Sequence, residues 1–333
     1  MQKKNPAKRR PERLVVTLLS LLFLSTAVFA TVKYVFRAPE LDTDKPVVTP
    51  DGTASADVDR TDTDEPDAPG RTRRKYCYNI LVSGLDDDNG GSDTNILVRF
   101  DVPNKRIDLV SLPRDTLLHN EYRNNKLNFA YAKGGTELLM EQIENLLGVP
   151  VDFYVTVNLK GFIALVDQID GVDFDIPINM DYDDPYQDLH IHFTKGPRHL
   201  NGQEAMEVVR FRHNNDGTED IGRIGTQQAF LKAVAKQLLQ IGNVKNIPAL
   251  VDIFCTYVKT DLTTGNLVWL GNEALNIGTE NIHFATLPGD GSGYYNKQSV
   301  YVLDAQATCD LVNEALNPYN EALTLEDMDI LVP

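Results

Sequence analysis

One long uncharged segment near the N-terminus most limits what this chain can fold into. From Leu14 to Val32 the sequence contains no charged residue, and Lys33 and Arg37 follow it. Because a helix rises about 1.5 Å per residue, a run of roughly 20 apolar residues spans the hydrocarbon core of a bilayer. The sequence therefore predicts one transmembrane signal-anchor over residues 14–36.

The residues before this segment predict its orientation. Lysine and arginine crowd residues 1–13, and such a basic flank stays in the cytoplasm. The alternative is a cleaved signal peptide, because Val28, Phe29 and Ala30 form an acceptable cleavage site. Both interpretations export the rest of the chain. We expect a single-pass protein of the cell membrane, with a cytoplasmic basic tail over residues 1–13 and an extracytoplasmic domain.

Composition limits the partners and the domain boundaries. The net charge of −16 excludes nucleic-acid binding through a basic surface. Residues 38–70 are rich in Asp, Thr, Pro and Ala and nearly devoid of large apolar residues, so they cannot offset the entropy lost on ordering. We predict a disordered acidic linker over residues 37–76 and one folded domain over residues 77–333.

The three cysteines leave two interpretations open. Outside the cell, Cys255 and Cys309 can form a disulfide, which leaves Cys77 free at the edge of the domain. Alternatively all three are free, buried thiols, since a domain of this size needs no disulfide for stability.

Hydrophobic periodicity along residues 77–333 alternates between strands and helices. Asn79–Ser83 is a short apolar run typical of a buried strand, and Thr136 begins a helix that Gly148 ends. Alternating strands and helices predict an α/β fold, a layered α-β-α domain with a central mixed sheet. Further strands are predicted at 93–100, 106–112, 153–157, 172–176 and 282–287, and further helices at 161–169, 200–211, 221–240, 246–258, 263–277 and 303–316.

An acidic loop follows the first predicted strand. Residues 86–93 contain four aspartates, Asp86 and Asp93 among them, together with two glycines. Carboxylates at the end of a buried strand suit a hard cation such as Mg²⁺, which takes one or two carboxylates plus water or phosphate oxygens. A solvated turn is the alternative, because Asp, Asn and Gly are ordinary turn residues.

Arginines cluster at two other places in this acidic chain. Arg114 follows directly after a predicted strand, and a guanidinium there suits bidentate contact with phosphate. A surface ion pair between Arg114 and Asp115 is the alternative. At a predicted helix junction, Asp220, Arg223 and Gln227 are spaced to share one helix face. With the two arginines that end the preceding helix, Arg210 and Arg212, they indicate a polyanion site. A solvated salt-bridge network with nearby glutamates is the alternative.

Two histidines alternate as they would on a strand. His190 and His192 then lie on one face, with Asp181, Asp183, Asp184 and Asp188 nearby. A solvent-facing strand edge is the favoured interpretation, and a second metal site is the alternative.

In this order, these segments resemble the LytR-CpsA-Psr (LCP) family of cell-wall glycopolymer ligases. The resemblance covers the chain from about Tyr78 to Leu316 and includes the anchor. The matching strings are residues 79–86, Ser92-Asp-Thr94, Ser111-Leu-Pro-Arg-Asp-Thr116, residues 126–131, Gly134-Gly135, Gly171-Val-Asp173, residues 200–205, Arg210-Phe-Arg212 and Asp220-Ile-Gly-Arg223.

The resemblance implies an Mg²⁺-dependent phosphotransferase. Such enzymes move an anionic glycopolymer, of teichoic acid or capsule type, from a polyprenyl-pyrophosphate carrier to peptidoglycan, which implies a Gram-positive source. The family's roles carry over as follows: Asp86 and Asp93 hold Mg²⁺; Arg114, Arg210, Arg212 and Arg223 clamp the pyrophosphate; Asp220 orients the arginines or takes the acceptor's proton; and Gln227 hydrogen-bonds nearby.

Two positions depart from the family pattern. The family usually has arginine where this chain has Gly91, and again where it has Thr226. Loss of two positive charges weakens pyrophosphate binding if both sites are desolvated. Two alternatives therefore stay open: a non-catalytic or regulatory envelope protein that binds polyprenyl phosphates, and an Mg²⁺-dependent lipid pyrophosphatase.

Overall fold

A computed structural model describes residues 36–41, 71–85, 91–184, 189–211, 221–240 and 256–332. The predicted transmembrane segment lies outside these residues except for Phe36, as does the middle of the predicted linker. No helix within the described ranges is both long and apolar enough to cross a bilayer.

The described strands and helices alternate along the chain. The strands are β1 (Cys77–Leu85), β2 (Ser92–Asp101), β3 (Arg106–Leu112), β4 (Phe153–Asn158), β5 (Val172–Ile176), β6 (Met180–Asp184), β7 (Leu189–Phe193), β8 (Gly196–Leu200), β9 (Val258–Thr260), β10 (Ile282–Thr286), β11 (Gly289–Tyr295) and β12 (Gln298–Leu303). The helices are α1 (Leu127–Leu147), α2 (Leu159–Gln168), α3 (Gly202–Arg210), α4 (Ile221–Gln240), α5 (Thr264–Ile277) and α6 (Ala305–Ala315).

A six-stranded mixed sheet forms the centre, in the order β10-β3-β2-β1-β4-β9. β1 pairs parallel with β4 and β3 pairs parallel with β10, while β2 and β9 run antiparallel to their neighbours. Four strands therefore share one direction, and their carboxyl ends meet at a single edge of the sheet. We call this the carboxyl edge; the start of β2 lies there as well.

Alternation along the strands gives the sheet two buried faces. The first core, that of the sheet, has one layer on each face. Leu81 and Leu97 belong to the layer formed with α1 and α6, whereas Tyr78 and Ile80 belong to the layer formed with α5. Helices thus cover both faces of the sheet. This confirms the predicted α/β class and the central mixed sheet.

A second core lies beside the sheet and includes α2, α3, α4 and the strand pairs β5–β8 and β6–β7. Its centre includes Ile176, Ile191 and Phe230, each fully buried. The sequence predicted β5 and the helices but left β6 and β8 undefined. Their apolar residues alternate over only a few positions among many charges, which is a weak signal.

Glycines interrupt and end α1. The helix begins at Leu127, nine residues before the predicted start at Thr136, and Gly135, with a φ of 69°, interrupts it. Gly148 caps it in the left-handed conformation with a φ of 65°, and a Cβ there would lie 2.3 Å from the carbonyl oxygen of Asp327. Both glycines are therefore required by backbone geometry.

Two sequence predictions need correction. The helix predicted at 246–258 ends one residue early, because Thr256 and Tyr257 are helical and Val258 begins β9; residues 246–255 lie outside the described residues.

Both ends of the predicted linker contact the folded domain. At its start, the Tyr78 hydroxyl donates to the Pro39 carbonyl oxygen at 3.0 Å, and residues 71–76 at its end also contact the domain. Arg73 contacts Asp152, and Arg74 lies 3.0 Å from Asp101. The folded part therefore begins no later than residue 71.

The cysteines follow the free-thiol alternative where the structure describes them. Cys77 and Cys309 are free and buried, whereas Cys255 lies outside the described residues. Burial raises the pKa of Cys77 to about 12, and Asp101 contributes to the shift. Burial also raises the pKa of Cys309. Both thiols are therefore protonated and unreactive at neutral pH.

We expect Arg73→Ala to lower the free energy of unfolding by about 3 kcal/mol, because it removes one partner of a buried ion pair. The side chains of Arg73 and Asp152 are only 11% and 7% exposed. Arg37→Ala is the matched control, since its pair with Glu40 is 52% and 75% exposed and contributes little. Equal chemical denaturation curves for both variants would refute the revised domain boundary.

Candidate functional site

An ion pair joins two predicted site residues at the carboxyl edge. β3 ends at Leu112, and Pro113 begins a turn in which its carbonyl oxygen accepts from the Thr116 amide at 3.0 Å. Arg114 lies in this turn and donates from Nη1 to Asp93 Oδ1, near the start of β2, at 2.6 Å. The two side chains are 27% and 34% exposed, so the charges are accessible to a ligand.

A second carboxylate and a second cation adjoin this pair. Asp115 Oδ1 lies 3.2 Å from the ammonium of Lys126 and 3.8 Å from Nε of Arg114. The backbone fixes this arrangement, because Arg114 and Thr116 accept from the amides of Asn128 and Leu127 at 2.9 Å and 3.0 Å. The turn after β3 and the start of α1 therefore form one unit.

Gly91, where the family resemblance predicts an arginine, lies beside the same unit. A Cβ built on Gly91 would meet the backbone oxygen of Asn128 at 3.8 Å, an ordinary contact. A larger side chain is therefore sterically acceptable here. The other departure, Thr226, is 9% exposed within α4.

Gln228 fastens α4 to the carboxyl edge. Its side-chain amide donates to the Ala285 carbonyl oxygen and to the Thr286 hydroxyl, both at 2.8 Å, and to the Ser111 hydroxyl at 3.3 Å. These acceptors lie at the ends of β10 and β3. Arg223 precedes Gln228 by five residues, which is about 7.5 Å along a helix axis. The first turns of α4 therefore lie near the carboxyl edge.

Gln227 and Arg210 connect the neighbouring helices. The amide of Gln227 donates to the Val209 carbonyl oxygen at 3.1 Å, which ties α4 to the end of α3. Arg210 is the last residue of α3, and its Nη1 lies 4.0 Å from the sulfur of Met206. The side-chain amide of Gln227 is thus already hydrogen-bonded within the protein. Its predicted hydrogen bond to a ligand would use the remaining donor or the amide oxygen.

A row of buried polar side chains crosses the sheet next to the carboxyl edge. Ser83 of β1 is paired in register with Asn95 of β2 and Thr156 of β4, and all three are at most 2% exposed. Ser83 donates to Asn95 Oδ1 at 3.2 Å. Among the described residues, Asn95 Nδ2 and Thr156 Oγ1 have no hydrogen-bond partner. Such groups are costly to bury, so they mark a place where water or a ligand is expected.

Four predicted site residues lie wholly or partly outside the part of the chain that the structure describes. Asp86, Arg212 and Asp220 lie outside the described residues, as does the side chain of Arg223. The structure brings together Asp93 and Arg114 and draws α4 toward them. From the sequence, Gln228 and Lys126 received no role, and Asp115 was considered only as a surface partner of Arg114. Adjacent helix residues lie about 100° apart, so spacing alone could not tell which of Gln227 and Gln228 faces the sheet.

Comparison with known proteins agrees with this fold and these motifs. The model of the LytR_cpsA_psr family matches residues 48–317. Bacillus subtilis TagV, named as a polyisoprenyl-teichoic acid–peptidoglycan teichoic acid transferase, is 32% identical over 71% of this chain. The matched region covers 62% of TagV.

A second relative is named as a regulatory protein and not as a transferase. The regulatory protein MsrR of Staphylococcus aureus is 30% identical, with 66% of this chain and 67% of MsrR aligned. The crystal structure of B. subtilis TagV superimposes with a TM-score of 0.63 at 27% identity, over 78% of this chain and all (100%) of that one. The chain belongs to the LytR_cpsA_psr family.

Proposed function

We propose that this chain transfers an anionic glycopolymer, of teichoic acid or capsule type, from a polyprenyl-pyrophosphate carrier to peptidoglycan. The observation that carries the proposal is the half-buried pair of Arg114 and Asp93 at the carboxyl edge, with α4 docked there through Gln228. The name of TagV, a teichoic acid transferase in the same family, supports this activity.

The reaction depends on neutralising charge. The acceptor hydroxyl of peptidoglycan attacks the phosphorus that bears the glycopolymer, and the bond to the bridging oxygen breaks. Polyprenyl phosphate leaves, and the acceptor's proton passes to a base, for which the family resemblance suggests Asp220. Positioned cations lower the barrier to phosphoryl transfer by stabilising charge that develops on the phosphate oxygens. Arg114 is suited to this role because its planar fork binds phosphate bidentately.

The donor set near Asp93 fits Mg²⁺. Its carboxylate is accessible, and the adjacent Ser92 hydroxyl is buried without a hydrogen-bond partner among the described residues. Hard oxygen donors of this kind, with a second carboxylate from Asp86, suit a cation that keeps positions for phosphate oxygens. Bound there, Mg²⁺ would neutralise charge on the diphosphate.

A second candidate function rests on a specific observation. The positions of two family arginines are occupied by Gly91 and Thr226, and the MsrR relative is named a regulatory protein. This favours a protein that binds polyprenyl phosphates without transferring the polymer. A lipid pyrophosphatase is the third possibility for the same residues.

One assay separates the three functions. The full-length protein in detergent is incubated with a lipid-linked glycopolymer donor and peptidoglycan fragments. Transfer gives a covalent conjugate and polyprenyl phosphate, hydrolysis gives a free glycopolymer phosphate, and binding alone gives neither. We expect the conjugate, and its absence would refute the proposed activity.

We expect Arg114→Ala to lower kcat/KM for transfer at least about 100-fold, because a charge-assisted contact to the phosphate is lost. Arg114→Lys should recover only part of the activity, since lysine lacks the planar fork. Arg106→Ala is the matched control, because this 31% exposed arginine pairs with Asp108 at the other end of β3. Transfer lost equally in both variants would contradict the role of Arg114.

We expect Gly91→Arg to lower KM for the lipid-linked donor several-fold, because it restores a cation beside Arg114 where the side chain has room. Gly91→Gln, which adds bulk without charge, is the control. If the arginine variant and the glutamine variant have the same KM, Gly91 does not lie at the pyrophosphate site.

Mg²⁺ dependence gives a further test. EDTA should abolish transfer by the wild-type protein, and added Mg²⁺ should restore it. Asp93→Asn should raise the Mg²⁺ concentration needed for half-maximal rate at least about 10-fold, since one anionic ligand is lost. Asp310→Asn, on an exposed position of α6, should leave it unchanged. Full transfer activity in EDTA would show that the reaction does not require Mg²⁺.

A further inference from the structure

The β6–β7 strand pair carries two aspartates and two histidines on one exposed face. Its antiparallel register places Asp181 opposite His192 and Asp183 opposite His190. Side chains alternate along strands, so these four point away from the second core, into which the intervening residues pack. The alternation in the sequence favoured a solvent-facing strand edge here, and the strand register places the four exposed side chains in one cluster.

The cluster converges on one carboxylate oxygen. The Asp183 Oδ1 atom contacts Nδ1 of His190 and lies 3.4 Å from Nε2 of His192. One ligand atom from each of Asp183, His190 and His192 falls within 4.8 Å of the other two. Two imidazoles and a carboxylate are thus in reach of a single point.

These separations are close to those of a tetrahedral zinc site. Bonds from Zn²⁺ to nitrogen and oxygen are about 2.0–2.1 Å long, so neighbouring ligand atoms lie about 3.3 Å apart. The separation between His192 and Asp183 already matches this value. His190 contacts Asp183 more closely, and a small rotation of its exposed ring would admit the ion.

Asp181 supplies the contact that orients the ligand. Its Oδ1 atom lies 2.7 Å from Nδ1 of His192, so a proton on Nδ1 is shared with the carboxylate. That tautomer leaves the lone pair on Nε2, the atom that faces Asp183. Carboxylates placed behind a metal-binding histidine commonly fix its tautomer and ring orientation.

We propose that Asp183, His190 and His192 bind a Zn²⁺ ion, with Asp181 orienting His192 and water completing the tetrahedron. Imidazole nitrogens suit zinc and other first-row transition metals, whereas Mg²⁺ and Ca²⁺ prefer all-oxygen sites. The site is therefore chemically distinct from the Mg²⁺ site proposed at Asp93. It stands independently of the proposed transferase activity.

Binding would tie β6 to β7 on the outer side of the second core. The inner face of the β6–β7 pair packs in the same core as α3, which ends at Arg210. A metal that binds the folded pair better than the unfolded chain stabilises it by mass action. Zinc should therefore raise the melting temperature of the protein.

The chain provides its own control for this cluster. Asp173 and His199 also face each other across two antiparallel strands, β5 and β8, with Oδ1 and Nδ1 2.8 Å apart. No third metal-ligating group joins them within the part of the chain that the structure describes. His199→Ala thus removes an equivalent exposed Asp–His pair without removing a zinc ligand.

The test uses the full-length protein, purified in detergent and freed of metal. Titration calorimetry with ZnCl₂ should give one ion per chain with micromolar or tighter affinity. His192→Ala should weaken binding at least about 100-fold, and Asp181→Asn about 10-fold, as expected for loss of an orienting carboxylate. His199→Ala should bind as the wild type does. Anomalous diffraction at the zinc edge should place the ion between β6 and β7.

Melting temperatures separate metal loss from misfolding. Without zinc, the isosteric variant Asp183→Asn should melt as the wild type does. With zinc, the wild type and His199→Ala should gain stability, whereas Asp183→Asn and His192→Ala should not. The proposal is overturned if the wild type takes up no stoichiometric zinc. It is equally overturned if His192→Ala keeps wild-type affinity, or if His199→Ala weakens binding as much as His192→Ala.

Discussion

The hydrogen bonds of Gln228 connect the two cores of the molecule. On α4, Gln228 reaches the carboxyl ends of β3 and β10, while Phe230, two residues later, is fully buried in the second core. Helix α4 is thereby fixed by hydrogen bonds to the sheet through Gln228 and by apolar packing in the second core through Phe230. Because Arg223 lies on the same helix, the distance between the arginines at the helix junction and Arg114 depends on this docking.

The mixed sheet determines why charged residues from distant segments meet. Four strands point their carboxyl ends at one edge, and the antiparallel β2 brings its amino end there. Asp93 and Arg114 are 21 residues apart in sequence and are joined at 2.6 Å. In a chain with a net charge of −16, the carboxyl edge is locally balanced, because Arg114 and Lys126 pair with Asp93 and Asp115, and this suits a phosphate-bearing ligand better than the acidic remainder does.

The two proposed ions would have different physical roles. Oxygen donors at the carboxyl edge suit a hard cation that neutralises a bound diphosphate, so its effect would appear in the rate of transfer. Imidazoles on the β6–β7 pair suit zinc, whose effect would appear in stability. The distinction follows from ligand type alone, and the same second core links both regions through α3 and α4.

The sequence by itself determined five of the six strands of the central sheet, all but β9, most helices and the residue types of the site. β3 was predicted with its observed limits, and Gly148 ended its helix as expected, because period-two burial and left-handed caps are local signals. Only the tertiary structure decided which residues meet. The pairing of Asp93 with Arg114, the choice of Gln228 over Gln227 to dock α4, and the convergence of His192 on Asp183 depend on strand register and helix rotation, which arise from packing between segments far apart in the chain.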